Sequence, residues 1–405
     1  MYPHQWLWDS CLIAIGLARI DPRRAASELQ TLSRNQWHNG MLPHMIFSSH
    51  MQYRVEGILW GTSSMSPEHT RTSGITQPPL VATAVERVAL ALPASESKRF
   101  MADMMPVLLR YHEWIYRERD PNNSGLAAVL HPWECGLDDT PYWTEAMDAL
   151  PEPPIYWRLV REYRSIKPKE RASTTEIQHM LALAYILKHY GYDSKRILAH
   201  SKIVLQDLVF NSILATANES LERLSEMSGV PLQPEILAKF TTTRVALETL
   251  WDEQTKQYYT KDFHTGSLIR TPTVATFMPL YAGTASPERA ERLRELLVDE
   301  NGYNAPYPIP SVPTSSSVFE PVRYWRGPTW FNMNWFVIQG LERYGFNEEA
   351  EWLRIHTLGL ITKSGFREYY NPLTGDGLGA DDFSWTAALA LDLAATEKTG
   401  VLEYE

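Results

Sequence analysis

Two short stretches of the chain gather carboxylates among aromatic rings and turn residues. The first, His131-Pro-Trp-Glu-Cys-Gly-Leu-Asp-Asp-Thr-Pro-Tyr-Trp143, places Glu134, Asp138 and Asp139 between two tryptophans, a tyrosine, two prolines and a glycine. Apolar rings disfavour the ionised carboxyl, and neighbouring negative charges disfavour it further. An acid that must keep its proton near neutral pH needs those conditions. The spacing alone does not rank the three carboxylates, and a polar turn held by ion pairs is the structural alternative. The second stretch, Gly365-Phe-Arg-Glu-Tyr-Tyr-Asn-Pro-Leu-Thr-Gly-Asp-Gly-Leu-Gly379, sets Glu368 between Arg367 and two tyrosines. An adjacent arginine is expected to hold that carboxylate ionised, as a general base requires, although a surface ion pair would look the same. Two carboxylates in contrasting settings, placed either side of a bond, are the machinery of glycoside hydrolysis.

Two further clusters bear on binding. In Arg323-Tyr-Trp-Arg-Gly-Pro-Thr-Trp-Phe-Asn-Met-Asn-Trp335, glycine and proline break the chain just before a helix and leave Tyr324, Trp325 and Trp330 near its start. Such rings stack on sugars, and they also fill cores. In Ser73-Gly-Ile-Thr-Gln-Pro-Pro79, Gln77 offers a donor and an acceptor that suit vicinal hydroxyls, or else it caps a helix.

The scaffold that must position these groups reads as all-α. With 44% hydrophobic and 21% charged residues the chain is an ordinary globular protein, and a net charge of −10 without a basic stripe argues against a nucleic-acid partner. Cys11 and Cys135, far apart, suit a reducing compartment. The apolar run 12–18 is too short to span a bilayer. A cytoplasmic protein without membrane contact is expected, and a homo-oligomer stays open. Periodicity predicts about a dozen helices in sequential pairs, among them 94–116, 174–189, 193–214, 232–250, 287–297, 329–344, 348–358 and 382–396. Residues 251–260 and 263–269 are expected to pair as a small hairpin. Residues 38–77 read as a long irregular loop, the form of a lid over a single domain spanning 1–405. Asp120-Pro-Asn-Asn-Ser-Gly-Leu126 reads as a turn, because the position where a calcium loop needs its bidentate Glu holds His131. No metal-ligand spacing is present, so no cofactor is expected.

Taken in order, Trp6-Leu-Trp-Asp-Ser, Glu134-Cys-Gly-Leu-Asp138, Tyr324-Trp-Arg-Gly-Pro-Thr-Trp330 and Glu368-Tyr-Tyr-Asn-Pro-Leu-Thr-Gly375 resemble the inverting glycosidases of glycoside hydrolase family 63, and more distantly the trehalases of family 37. With Gly40-Met-Leu-Pro-His44 and Ser73–Pro79, the chain looks most like bacterial mannosylglycerate and glucosylglycerate hydrolases. The resemblance implies an (α/α)6 toroid with its pocket on one face. It implies Asp138 as general acid and Glu368 as general base, their carboxyls about 6.5–9.5 Å apart to admit a water. Glu134 and Asp139 then become neighbours that keep the acid protonated by like charge. Tyr2, Trp6, Asp9, Gln77, Gly136, Tyr324, Trp325 and Trp330 would contact substrate, with Tyr53 on a closing loop. Arg171 would take the carboxylate of a glycerate leaving group, with Arg164 and Lys167 as competitors. The expected partner is thus a small anionic glycoside. The alternatives are an α-glucosidase or trehalase-like hydrolase of neutral sugars, a sugar 2-epimerase on the same fold, and a helical-repeat binding module.

Overall fold

The computed structural model describes residues 3–50, 54–148, 150, 152–155 and 166–396, and helices dominate it. The opening helix, Leu7–Leu17, is apolar on more than one face and buries Leu7, Trp8, Cys11, Leu12, Ala14 and Ile15. A helix of that kind must lie inside. It packs against the last described helix, Ser384–Thr396, and so joins the two ends of the chain. Gly16 permits this contact, because a Cβ there would lie 1.9 Å from the carbonyl oxygen of Ala388.

The opening helix also packs on Val81–Ala91, which packs on Leu208–Ser228. That helix meets Met278–Ala282, then Phe331–Arg343, then Ser384–Thr396, so six helices form a cycle of contacts. Pro22–Ser33, Ala94–Trp114, Pro234–Leu247 and Asn347–Ser364 each rest on a member of the cycle. Pro22–Ser33 buries only Ala25, Ala26, Leu29 and Leu32, the stripe expected of a helix with one face in water. Asp21 caps its first turn by accepting from Arg24 N.

Among the described residues the β-ladders are four two-stranded antiparallel pairs: Gln5–Trp6 with Met45–Ile46, Leu205–Gln206 with Lys261–Asp262, Trp251–Asp252 with Gln257–Tyr258, and Tyr369–Tyr370 with Gly377–Leu378. Among the described residues no helix is long and apolar enough to cross a membrane.

Several sequence expectations need correction. The helix expected over 193–214 is interrupted: Ser194–His200 ends before the buried run Ile203-Val-Leu205, which leaves for a strand, and Asp207 starts a new helix by accepting from Phe210 N. The expected hairpin is complete within 251–258. Lys261–Asp262 turns instead to Leu205–Gln206, and Lys261 keeps a single bridge to Leu268. The 38–77 region contains a helix, Arg54–Trp60, masked in the sequence by Gly57, since glycine costs about 1 kcal/mol in a helix interior. The Asp120 turn is as expected, with the Asp120 carboxylate accepting from Ser124 N and Gly125 N. The helix before it ends in a π turn, Ile115–Arg119, which no periodicity announced.

Candidate active site

One cavity of about 160 Å³ receives ten of the residues singled out above: Trp6, Asp9, Gln77, Gly136, Asp138, Arg171, Tyr324, Trp325, Trp330 and Glu368. Its size lies below the roughly 300–1,000 Å³ of pockets for drug-sized ligands, which suits a small molecule. Tyr2, Tyr53 and Arg164 lie outside the described residues.

The structure separates the three carboxylates of the first stretch. A short helix, Pro132–Cys135, begins at His131, whose Nδ1 accepts from Trp133 N at 3.1 Å. It ends at Gly136, with φ at +81°, where a Cβ would sit 2.6 Å from the Trp8 ring. Only glycine meets both demands, and the sharp turn sends the chain on to Asp138 at the cavity wall. Glu134 points the other way. It is fully buried and accepts two hydrogen bonds from Arg119 at 3.0 and 2.6 Å, one from Leu130 N at 2.6 Å and one from Thr76 N at 3.1 Å. Arg119 is the last residue of the π turn. Asp139 is buried against Arg323 Nε at 3.2 Å and Arg326 Nε at 3.4 Å, and both arginines also pair with Glu176. Burial pushes the Asp139 carboxyl up, and Arg326 and Arg323 pull it down. Glu134 and Asp139, expected to keep Asp138 protonated by like charge, are each paired with arginine. Asp138 itself accepts from the Tyr324 hydroxyl at 3.0 Å.

Tyr324 holds a left-handed backbone, with φ at +32°, between the two arginines of that ion cluster. Non-glycine residues adopt this region at a cost, and persist there only where the surroundings overdetermine them. Here Arg323 and Arg326 anchor both flanks, and Trp330 Nε1 donates to the Tyr324 carbonyl at 3.0 Å. Trp325 and Trp330 are buried and stack face to face, 3.7 Å between centroids and 3° apart in plane, with Trp330 also stacked on Tyr369. Core filling and cavity lining, posed as alternatives, are both served by this one stack.

Glu368 opens the ladder Tyr369–Tyr370 with Gly377–Leu378. Its N–H donates to the Ala380 carbonyl at 3.0 Å, and its Oε2 accepts from Ala380 N at 2.9 Å. Arg367, expected to be its cation, pairs instead with Asp381. Arg171 takes that place, with Nη2 donating to Glu368 Oε2 at 3.1 Å and its guanidinium 4.7 Å above the Tyr324 ring. Lys167, a competitor for the anion-binding role, is exposed and paired with Glu170 at 3.2 Å.

Gln77 accepts from Trp8 N at 3.2 Å through Oε1, so the amide NH2 is the group it can offer the cavity. Asp9 stands in the first turn of the opening helix. Burial pushes its carboxyl up to about 7, and the Glu368 charge adds to the push. Sequence reasoning missed His4, Glu56, Trp60, Trp133, Phe383 and Trp385, all of which line the cavity. Trp133 sat within the acid stretch and could have been included; Glu56 and Trp60 lie on the unexpected helix, where no local signal marks them.

Carboxylates brought from two distant loops to a ring-lined cavity on a helical scaffold are the arrangement of a glycoside hydrolase, and this chain is one. It belongs to the family described as mannosylglycerate hydrolase MGH1-like glycoside hydrolase domain, which matches residues 2–386. It is 40% identical to a mannosylglycerate hydrolase of Thermus thermophilus over 96% of this chain and 94% of that protein. It is 32% identical to a glucosylglycerate hydrolase of Mycolicibacterium hassiacum, over 97% and 92%. The crystal structure of a family 63 mannosylglycerate hydrolase from Thermus thermophilus in complex with Tris and D-glycerate superposes with a TM-score of 0.88 at 38% identity, covering 96% of this chain and 93% of that one.

Proposed function

We propose that the chain hydrolyses a small anionic α-glycoside, mannosylglycerate or glucosylglycerate, with inversion at the anomeric carbon. The observation that carries this reading is one cavity holding Asp138, Glu368 and the cation Arg171. The relatives named for those two substrates support it. In this reading Asp138 gives its proton to the glycosidic oxygen as the bond to the anomeric carbon breaks. Glu368 takes a proton from a water that attacks the opposite face, leaving free sugar and glycerate. The Trp325–Trp330 stack holds the sugar, Asp9 and Gln77 bind its hydroxyls, and Arg171 binds the glycerate carboxylate.

The six-helix contact cycle with helices resting on it supports an (α/α)6 toroid as one catalytic domain over 1–405. Met45, Glu56, Leu59, Trp60 and Gln77 of the 38–77 region line the cavity, which supports a lid role for that region. Two buried cysteines that form no disulfide support a cytoplasmic setting. The test is hydrolysis of both glycosides with NMR of the first-formed sugar. The β anomer from at least one of them is expected; no release, or an α anomer formed first, would overturn the proposal.

A further inference from the structure

His4 and Glu56 share the cavity but have no place in the reaction described above. Ser48 N–H donates to His4 Nδ1 at 3.0 Å, so that nitrogen carries a lone pair and the ring proton sits on Nε2. The Nε2–H in turn donates to Glu56 Oε2 at 2.5 Å. A neutral imidazole therefore orients this carboxylate without cancelling its charge. Glu56 lies on the Arg54–Trp60 helix, which packs on Thr174–His189, the helix that Arg171 leads into. The carboxylate and the anion-binding arginine are thus delivered by neighbouring elements.

A carboxylate has about four acceptor sites. Among the described residues His4 is the hydrogen-bond partner of Glu56, and 28% of the Glu56 side chain stays accessible. An oriented acceptor with unused sites beside a cavity is matched by a hydroxyl donor, and it repels a second carboxylate brought near it. We propose that Glu56, oriented by His4, accepts a hydrogen bond from a free hydroxyl of the leaving group while Arg171 holds that group's carboxylate. The inference rests on the proposed hydrolase reading. Glycerate, once its 2-oxygen is in the glycosidic bond, still carries both a carboxylate and a primary hydroxyl. Lactate carries only the carboxylate. Glu56 is then the residue that makes the site select a dihydroxy acid over its deoxy analogue, and His4 is its positioning residue.

The test compares the sugar–glycerate glycoside with the matching sugar–lactate glycoside, using the full chain. A hydrogen bond to a charged group is worth about 1.5–3 kcal/mol, so the wild type is expected to favour the glycerate glycoside in kcat/KM by roughly 10- to 150-fold. In Glu56→Ala that ratio is expected to fall towards one, with a thermal unfolding scan confirming that the variant folds. A wild-type ratio near one overturns the inference whether or not the variant folds. So does a parallel loss on both substrates with the ratio kept, which would put Glu56 on the sugar or in the scaffold. If the wild type hydrolyses both glycosides at equal rates, only this inference falls; if it hydrolyses neither, the hydrolase reading falls and takes it along.

Discussion

The acid loop and the base hairpin hold their carboxylates by different means. Asp138 emerges from a turn whose neighbours are both committed: Glu134 to Arg119 and two backbone amides, Asp139 to Arg323 and Arg326. Buried ion pairs of this kind contribute little net stability over apolar packing, but removing one partner strands a charge in the interior. They fix geometry. Glu368 stands at the start of a hairpin, where its N–H and its Oε2 both bond to Ala380 and Oε2 also pairs with Arg171, a cation brought from far away in the chain. In the proposed reaction the acid must meet one oxygen from one direction, whereas the base acts through a water and shares its cation with the substrate. The difference suggests a rigid donor facing an acceptor whose surroundings respond to what binds.

Several experiments would break or sharpen this contrast. The largest effect is expected from the carboxylates themselves: Asp138→Asn and Glu368→Gln should each lower kcat by about 10²–10⁴-fold. They should differ on a dinitrophenyl glycoside, whose leaving group needs no proton. Activity should return to Asp138→Asn and stay low in Glu368→Gln, and the opposite pattern would exchange the two roles. Next, Glu134→Gln leaves Arg119 buried without its counter-charge, and a stability loss of about 3–5 kcal/mol is expected in denaturant titration. A near-neutral result would show that the acid loop is not held as rigidly as argued.

On the base side, Arg171→Ala should raise KM for the glycerate glycoside by roughly 10- to 150-fold, and by much less for a neutral glycoside of the same sugar. An equal rise on both would tie Arg171 to Glu368 alone. The smallest effect concerns Asp9. Its folded carboxyl keeps its proton to about pH 7, where the unfolded one loses it near 3.8, so the wild type loses stability as pH rises through that window. Asp9→Asn should remove the loss. Its melting temperature should exceed that of the wild type above pH 7, by the equivalent of about 2 kcal/mol after discounting for the part of Asp9 that stays exposed, and should converge with it near pH 4.

Some of this was legible in the chain. The rings, prolines and glycines around residues 131–143 and 365–379 marked where carboxylates would be turned out of regular structure, because those residue types set local backbone shape whatever surrounds them. The helix over 287–297, with its one apolar stripe, was equally plain. Residue types did not rank Glu134, Asp138 and Asp139, and only the family resemblance pointed to Asp138, because the ranking depends on arginines that arrive from residues 115–119 and 323–326. Nor did they identify the cation at Glu368. Arg367 is adjacent to it, but successive residues of an extended chain point to opposite faces, so sequence neighbours diverge.

By itself, then, the sequence determined which residues could do chemistry and the helical character of what carries them, because side-chain type and apolar period are local properties. Tertiary structure alone decided which carboxylate faces the cavity, which arginine meets the base, and that His4 and Glu56 stand beside them. Electrostatic partnership depends on distance through space, and the helix cycle that brings the two ends of this chain together sets those distances.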